Sequence, residues 1–246
     1  MKIIISPAKK MNVDTDSLPV GGLPVFLKDT RTLLDGIRKL SYDEAKALWG
    51  CNDKLAQLNY KRFADMDLEE SLTPAVLAYE GLQYQHLSPR VLTKESLDYI
   101  GTHLRILSGF YGIVSPFDGV VPYRLEMQAK MAALGTRDLY GFWNEKIYKE
   151  LTKDGHTVVN LASKEYAQAV KPYLSSGDSF VTCIFGQLEH GTLKQKGTLA
   201  KMARGEMVRF MAERSVTEIS QLKEFHALGY QYAEEFSSDT ELTFLA

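Results

Sequence analysis

The chain has 246 residues, of which 45% are hydrophobic and 24% charged. Those proportions belong to a globular protein of one or two domains and exclude disorder, collagen-like repeats or coiled coil as a description of the whole. The 29 lysines and arginines against 31 aspartates and glutamates give a net charge of −2, which excludes histone-like attachment to nucleic acid by bulk charge but permits a local basic face.

From the N-terminus, Lys2–Ser6 is a β-branched run stopped by Pro7, the pattern of a buried strand entering a loop. The run has only three apolar residues before Ser6 and Pro7, too few for a signal peptide. Residues 12–24 form a surface connection. Apolar residues at helical spacing from Leu23 to Leu40 predict a helix, and Ser41 with Glu44 is a capping-box pattern that opens a second. A third, short helix is expected at Asn59–Ala64. Thr93 opens another, with Leu97, Ile100, Leu104 and Leu107 on one face and Gly109 and Gly112 at its end. Residues 120–125 read as an edge strand because of Pro122. A long helix is expected from Thr136 to Asp154, stopped by Gly155. Residues 157–161 then form a strand, and Ser163 caps a short helix. A hairpin follows around Glu189, His190 and Gly191, then a helix from Leu199 to Arg214, then a closing hairpin of 230–236 and 240–245. No linker divides these elements, so the expected fold is one compact α+β (mixed α/β) domain over residues 1–246, a mixed sheet surrounded by helices. The uncharged run Ile106–Phe117 is far short of the roughly 20 residues that span hydrocarbon, and a cytoplasmic location with no membrane contact is expected. Cys51 and Cys183 cannot form a disulfide framework, which points to two free thiols in a reducing compartment.

Standard catalytic signatures are mostly absent. Ser6 and Lys9 have the Ser-x-x-Lys spacing of acyl-serine enzymes, but Ser6 follows a strand and no Lys-Thr-Gly companion exists. The five histidines, His86, His103, His156, His190 and His226, have no ligand spacing, so no metal site is expected and no cofactor is implied. The segment from Thr192 to Ala212 carries Lys194, Lys196, Lys201, Arg204 and Arg209 against Glu206 alone. Lys201 and Arg204 lie one helical turn apart. That face reads either as a solvated helix surface or as a phosphate-binding one, since lysine and arginine supply most sequence-independent affinity for nucleic acid. Arg105 and Arg124 sit in apolar runs, where a cation either pairs with a buried acid, such as Glu126, or faces a cleft. Leu55–Asn59 keeps the apolar positions of a helix-hairpin-helix turn but neither of its glycines, and an ordinary helix–helix corner fits the spacing as well.

Taken in order, Ile4–Lys9, Leu104–Gly112, Pro122–Met127, Asn160–Tyr166 and Lys201–Gly205 resemble the YaaA family of bacterial peroxide-stress proteins, over nearly the whole chain. The resemblance implies a cytoplasmic protein that protects DNA from hydrogen peroxide damage, in part by keeping free iron low. It implies DNA binding through a positively charged cleft and a helix-hairpin-helix element, here within residues 42–64. Lys54, Asn59 and Arg62 match that element, whereas Gln57 stands where the family hairpin has glycine. The DNA-binding set expected on this reading is Lys9, Lys54, Asn59, Arg62, Arg105, Arg124, Lys164, Lys201 and Arg204, holding backbone phosphate with little base preference. The alternative is an enzyme acting on a nucleotide or nucleic acid through Tyr123, Arg124, Glu126, Asn160, Ser163 and Tyr166, and a small-molecule ligand in the cleft is compatible with it. A third reading, direct iron handling, has no ligand cluster in the sequence.

Overall fold

A computed structural model describes residues 1–130 and 135–246. The opening run forms the strand Lys2–Ile5, in which Ile3, Ile4 and Ile5 are fully buried. A strand apolar on both faces belongs in the middle of a covered sheet. It lies between Leu104–Ser108 and Thr157–Leu161, parallel to both. Beyond Thr157–Leu161 come Ser179–Glu189 and then Glu241–Leu245, again parallel. Gly112–Val114 and Gln231–Tyr232 close the two edges in antiparallel sense, and Thr192–Lys194 folds back on Ser179–Glu189 as the expected hairpin. The result is a mixed sheet of eight strands with helices packed around it, the mixed α/β arrangement expected.

Local signals account for several elements. Ser41 and Glu44 make a complete capping box at the start of Tyr42–Trp49, and Gly50 ends that helix in the left-handed conformation, φ 52°. Asn52 caps Asp53–Asp65 through the Leu55 amide. The helix Gly197–Glu213 packs on Leu82–Leu87, on Lys94–His103 and on Ser179–Glu189.

Four expectations need correction. The helix opened by Thr93 stops at His103, and Leu104–Ser108 is a central strand rather than its continuation. The helical spacing of Leu104 and Leu107 is overridden by pairing on both sides, which buries Leu104, Ile106, Leu107 and Ser108 alike. The helix expected over Thr136–Asp154 is two, Leu139–Trp143 and Lys146–Thr152, broken where Asn144 takes φ 47°. Within 120–125 only Val120 pairs, with Thr73, and the rest runs extended without a partner strand. Finally, Leu55–Asn59 lies inside the helix Asp53–Asp65, so the turn of this helix pair is Gly50–Asn52 instead. The Asn52 cap and the buried face of Ala56, Asn59 and Phe63 start that helix six residues earlier than expected.

Candidate functional site

In chain order the five parallel strands are Lys2–Ile5, Leu104–Ser108, Thr157–Leu161, Ser179–Glu189 and Glu241–Leu245. In space they run second, first, third, fourth, fifth. The order therefore reverses between the first and third strands, and open α/β sheets bind ligands outside the carboxyl ends of strands at such a reversal. A cleft of about 500 Å³ opens at that point.

Its walls follow from the chain path. Ser6, Pro7, Ala8 and Lys9 leave the first strand, and Ser163, Glu165 and Tyr166 leave the third. The two turns are tied together: the Ser163 amide donates to Ser6 Oγ at 2.8 Å, and the two hydroxyls lie 3.2 Å apart. Lys10–Met11 pairs with Tyr79–Glu80, which brings Gly81–Tyr84 against the first turn. There the Tyr84 hydroxyl donates to the Ser6 carbonyl at 2.8 Å. A third wall is the unpaired stretch Tyr123–Glu126. It sits close because residue 109 is glycine: a Cβ there would lie 2.6 Å from the Leu125 carbonyl oxygen. Lys201 and Arg204, from the helix Gly197–Glu213, complete the cleft.

Five cations, Lys9, Lys10, Arg124, Lys201 and Arg204, face three carboxylates, Glu80, Glu126 and Glu165, leaving a net charge of +2 on the lining in a chain whose total is −2. The pairing is uneven. Lys10 meets Glu80 at 2.7 Å, while Glu126 is shared between Lys9 at 2.9 Å and Arg124 at 3.4 Å. Burial and the charge of Glu126 both raise the Glu165 carboxyl above the usual range. On the opposite wall Lys201 and Arg204 have no acidic partner among the described residues. Arg204 is partly buried; its Nε is solvent-inaccessible and without a hydrogen-bond partner, and burial lowers its pKa. Among the described residues the titratable group that acts on it is Cys183, a thiol that burial pushes up to about 12 and so keeps neutral. An uncompensated buried guanidinium is costly, and the missing counter-charge is one a ligand can bring.

The structure thus gathers Lys9, Arg124, Lys201 and Arg204 from the expected DNA-binding set, and Tyr123, Glu126, Ser163 and Tyr166 from the expected catalytic one. Two residues of the expected catalytic set are occupied otherwise. Tyr123 is 4% exposed, and its hydroxyl is engaged by Ser108 at 2.7 Å and Tyr79 at 3.0 Å, so it serves first as framework. Asn160 is buried away from the cleft, bonded to Thr182 Oγ1 and the Ala162 amide; it shapes the turn after the third strand. Lys164 is exposed beside the cleft without lining it. Lys54, Asn59 and Arg62 all lie on the helix Asp53–Asp65, with Asn59 turned inward to donate to the Leu55 carbonyl at 2.7 Å. The preceding helix does approach the site: Trp49 and Gly50 line a second groove that shares Lys9 and Glu126 with the cleft. Lys10, Glu80, Gln83, Tyr84 and Glu165 were not among the expected residues. Of these, Glu165 lies within the marked block Asn160–Tyr166 and Lys10 adjoins Ile4–Lys9, while the other three fall outside the blocks that the sequence marks.

Arg105 is elsewhere. It lies at the start of its strand, donates to the carbonyls of Gly101 and Leu104, and is balanced by Asp118, Glu150 and Asp154. Arg105 therefore does not line the cleft, and the structure does not bring it together with Lys9, Arg124, Lys201 and Arg204. Burial raises the Asp118 carboxyl to about 6 from an ordinary 3.8. The folded state therefore binds a proton more readily than the unfolded one, and stability falls as pH rises from about 4 to 6. Asp118→Asn, which keeps the acceptor for the Ser115 amide, is expected to flatten that fall by about 2–3 kcal/mol. Chemical denaturation of both proteins at pH 4 and pH 7 measures it; parallel pH dependences would refute the assignment.

Cys51 and Cys183 are free thiols. Among the described residues, no group of three or more His, Cys, Asp or Glu is placed to hold a metal ion, and no helix is long and apolar enough to cross a membrane.

The cleft is built from four of the five blocks on which the sequence resemblance rests, and the fifth, Leu104–Gly112, supplies Gly109 behind it. The family described as peroxide stress protein YaaA matches residues 1–236. The chain belongs to the YaaA family. Its relatives include a UPF0246 protein of Pediococcus pentosaceus, 53% identical over all of this chain and 98% of its own. A UPF0246 protein of Ligilactobacillus salivarius is 51% identical over all of this chain and 99% of its own, and one of Desulfitobacterium hafniense is 50% identical over 100% and 98%. The YaaA family is described by its part in peroxide stress, and membership supports a peroxide-stress role for this chain.

Proposed function

We propose that this YaaA-family protein acts in peroxide stress by holding DNA phosphate in the cleft, and that the contact protects DNA from oxidative damage. One observation carries the reading: Lys201 and Arg204, one turn apart on the same helix, line the cleft with no ion-pair partner among the described residues. A phosphate held by such a pair no longer condenses a counter-cation. A ferrous ion kept off the backbone delivers no radical to the sugar beside it, so the limiting of iron damage is proposed here as indirect. The helix pair Tyr42–Trp49 and Asp53–Asp65 would meet the strand beyond the second groove, through the exposed Lys54.

A mobility-shift titration of a short duplex and a short single strand at low and moderate salt tests this. Affinity is expected to fall with salt and to vary little with base sequence. Lys201→Glu should weaken binding by about tenfold or more and reduce the logarithmic salt slope by about one. Salt-independent binding, or none at low salt, overturns the proposal.

A further inference from the structure

We infer that the cleft is a site for one nucleotide, with its phosphate on Lys201 and Arg204, rather than a groove for the body of a duplex. The inference rests on the reading of the cleft as a phosphate site and names what the phosphate is attached to.

Shape comes first. Arg204 is partly buried and its Nε is inaccessible, so a phosphate reaches it only by entering the concavity. Phosphates along an intact duplex lie on a convex surface with their bases stacked behind them. A volume of about 500 Å³ falls within the range of pockets that enclose small organic ligands, roughly 300–1,000 Å³. It is far more than one inorganic anion needs. The position agrees, because the reversal point of a parallel sheet is where nucleotide-sized ligands bind in open α/β folds.

The chemistry of the remaining walls is uneven in the way a nucleotide requires. Besides the two cations the lining includes Leu82, Tyr84, Tyr123 and Tyr166, which add apolar surface suited to a sugar and a base. In the same wall Gln83 is 6% exposed, and its Nε2 is buried with no hydrogen-bond partner among the described residues. A buried unpaired amide is costly in an apo site, and a carboxamide is a side chain that reads a base edge. The second groove gives a longer ligand its way out. It continues from the cleft past the Lys9–Glu126 pair and is lined by Leu40, Leu48 and Trp49. Two sources supply this chemistry: a free nucleoside monophosphate, or a terminal or extruded nucleotide of DNA.

Calorimetric titration of the full chain with each deoxynucleoside 5′-monophosphate, with the unphosphorylated nucleoside and with inorganic phosphate tests the inference. The same nucleotides then compete against a labelled, 5′-phosphorylated single strand. Saturable nucleotide binding is expected, about tenfold tighter than nucleoside or inorganic phosphate, and lost in Arg204→Met and Lys201→Gln proteins that melt cooperatively. Displacement of the strand by nucleotide supports both readings and makes DNA the source. Nucleotide binding without strand binding supports this inference, makes free nucleotide the source and overturns the DNA reading. Strand binding that nucleotide neither shares nor displaces overturns this inference alone, as does phosphate binding equal to nucleotide binding or nucleotide binding that survives both substitutions. Binding of neither overturns both.

Discussion

Arg204→Met is expected to yield a protein that is more stable than the parent and weaker at holding phosphate. Arg204 is partly buried with no acid paired to it among the described residues, and its inaccessible Nε makes no hydrogen bond. Replacing a buried charge by an apolar side chain of similar length removes a desolvation cost that nothing in the unliganded protein returns. Replacement of fully buried ion pairs by apolar residues is often stabilising by about 1–4 kcal/mol, and for the partly buried Arg204 the low end, about 1 kcal/mol, is expected. For a chain of this size each kcal/mol is worth about 2–4 °C in Tm. Loss of a hydrogen bond to a charged group costs about 1.5–3 kcal/mol of binding, or roughly tenfold to a hundredfold in affinity. A residue kept for folding shows the opposite signs. A lowered Tm with unchanged phosphate affinity would remove Arg204 from the site.

The second large effect is expected at Gly205→Ala. In an exposed helix interior alanine is better than glycine by about 1 kcal/mol. Here a Cβ would sit 2.2 Å from the Gln83 carbonyl oxygen and 2.8 Å from His86 Cβ. The first of these is backbone and cannot swing away, so the helix Gly197–Glu213 and the segment Leu82–Leu87 must separate. Overpacking of this kind costs about 1–3 kcal/mol beyond what the helix gains. The His86–Glu206 contact at 2.7 Å joins the same two elements and would be stretched with them. Thermal melting should show a Tm lower by several degrees, and ligand affinity should fall as well, because Gln83 and Tyr84 stand on the displaced segment. An unchanged or higher Tm would show that the close approach is not enforced.

Both substitutions lie in Lys201–Gly205, a block whose significance is only half visible in the sequence. Lys201 and Arg204 are legible there as two cations on one helical face. That the Arg204 Nε is buried without a partner depends on the neighbours brought by Ser179–Glu189 and Leu82–Leu87, and no spacing rule reports it. The same division runs through the fold. The capping box at Ser41 and Glu44, the hairpin after Glu189 and the isoleucine strand are decided within a few residues, and each forms where expected. Leu104–Ser108 shows the failure: its leucines continue a helical stripe, and only pairing on both sides makes it a strand. Arg105, on that same strand, does not reach the cleft that the sequence could have assigned it to. Asn160 sits in a marked block yet serves its own turn, and Gln83 and Tyr84, which line the cleft, sit in a stretch with no motif at all.

By itself the sequence determined the kinship to a peroxide-stress family, the mixed composition of strands and helices, and the kinds of charge available. Those properties reside in short runs of residues, where propensity, capping and patterning act over one or two turns. Which cations meet, and which meet their own acids instead, was decided by the strand order. Strands one and three are neighbours although more than 150 residues of chain lie between them, and the cleft exists because the chain turns away in opposite directions from their ends.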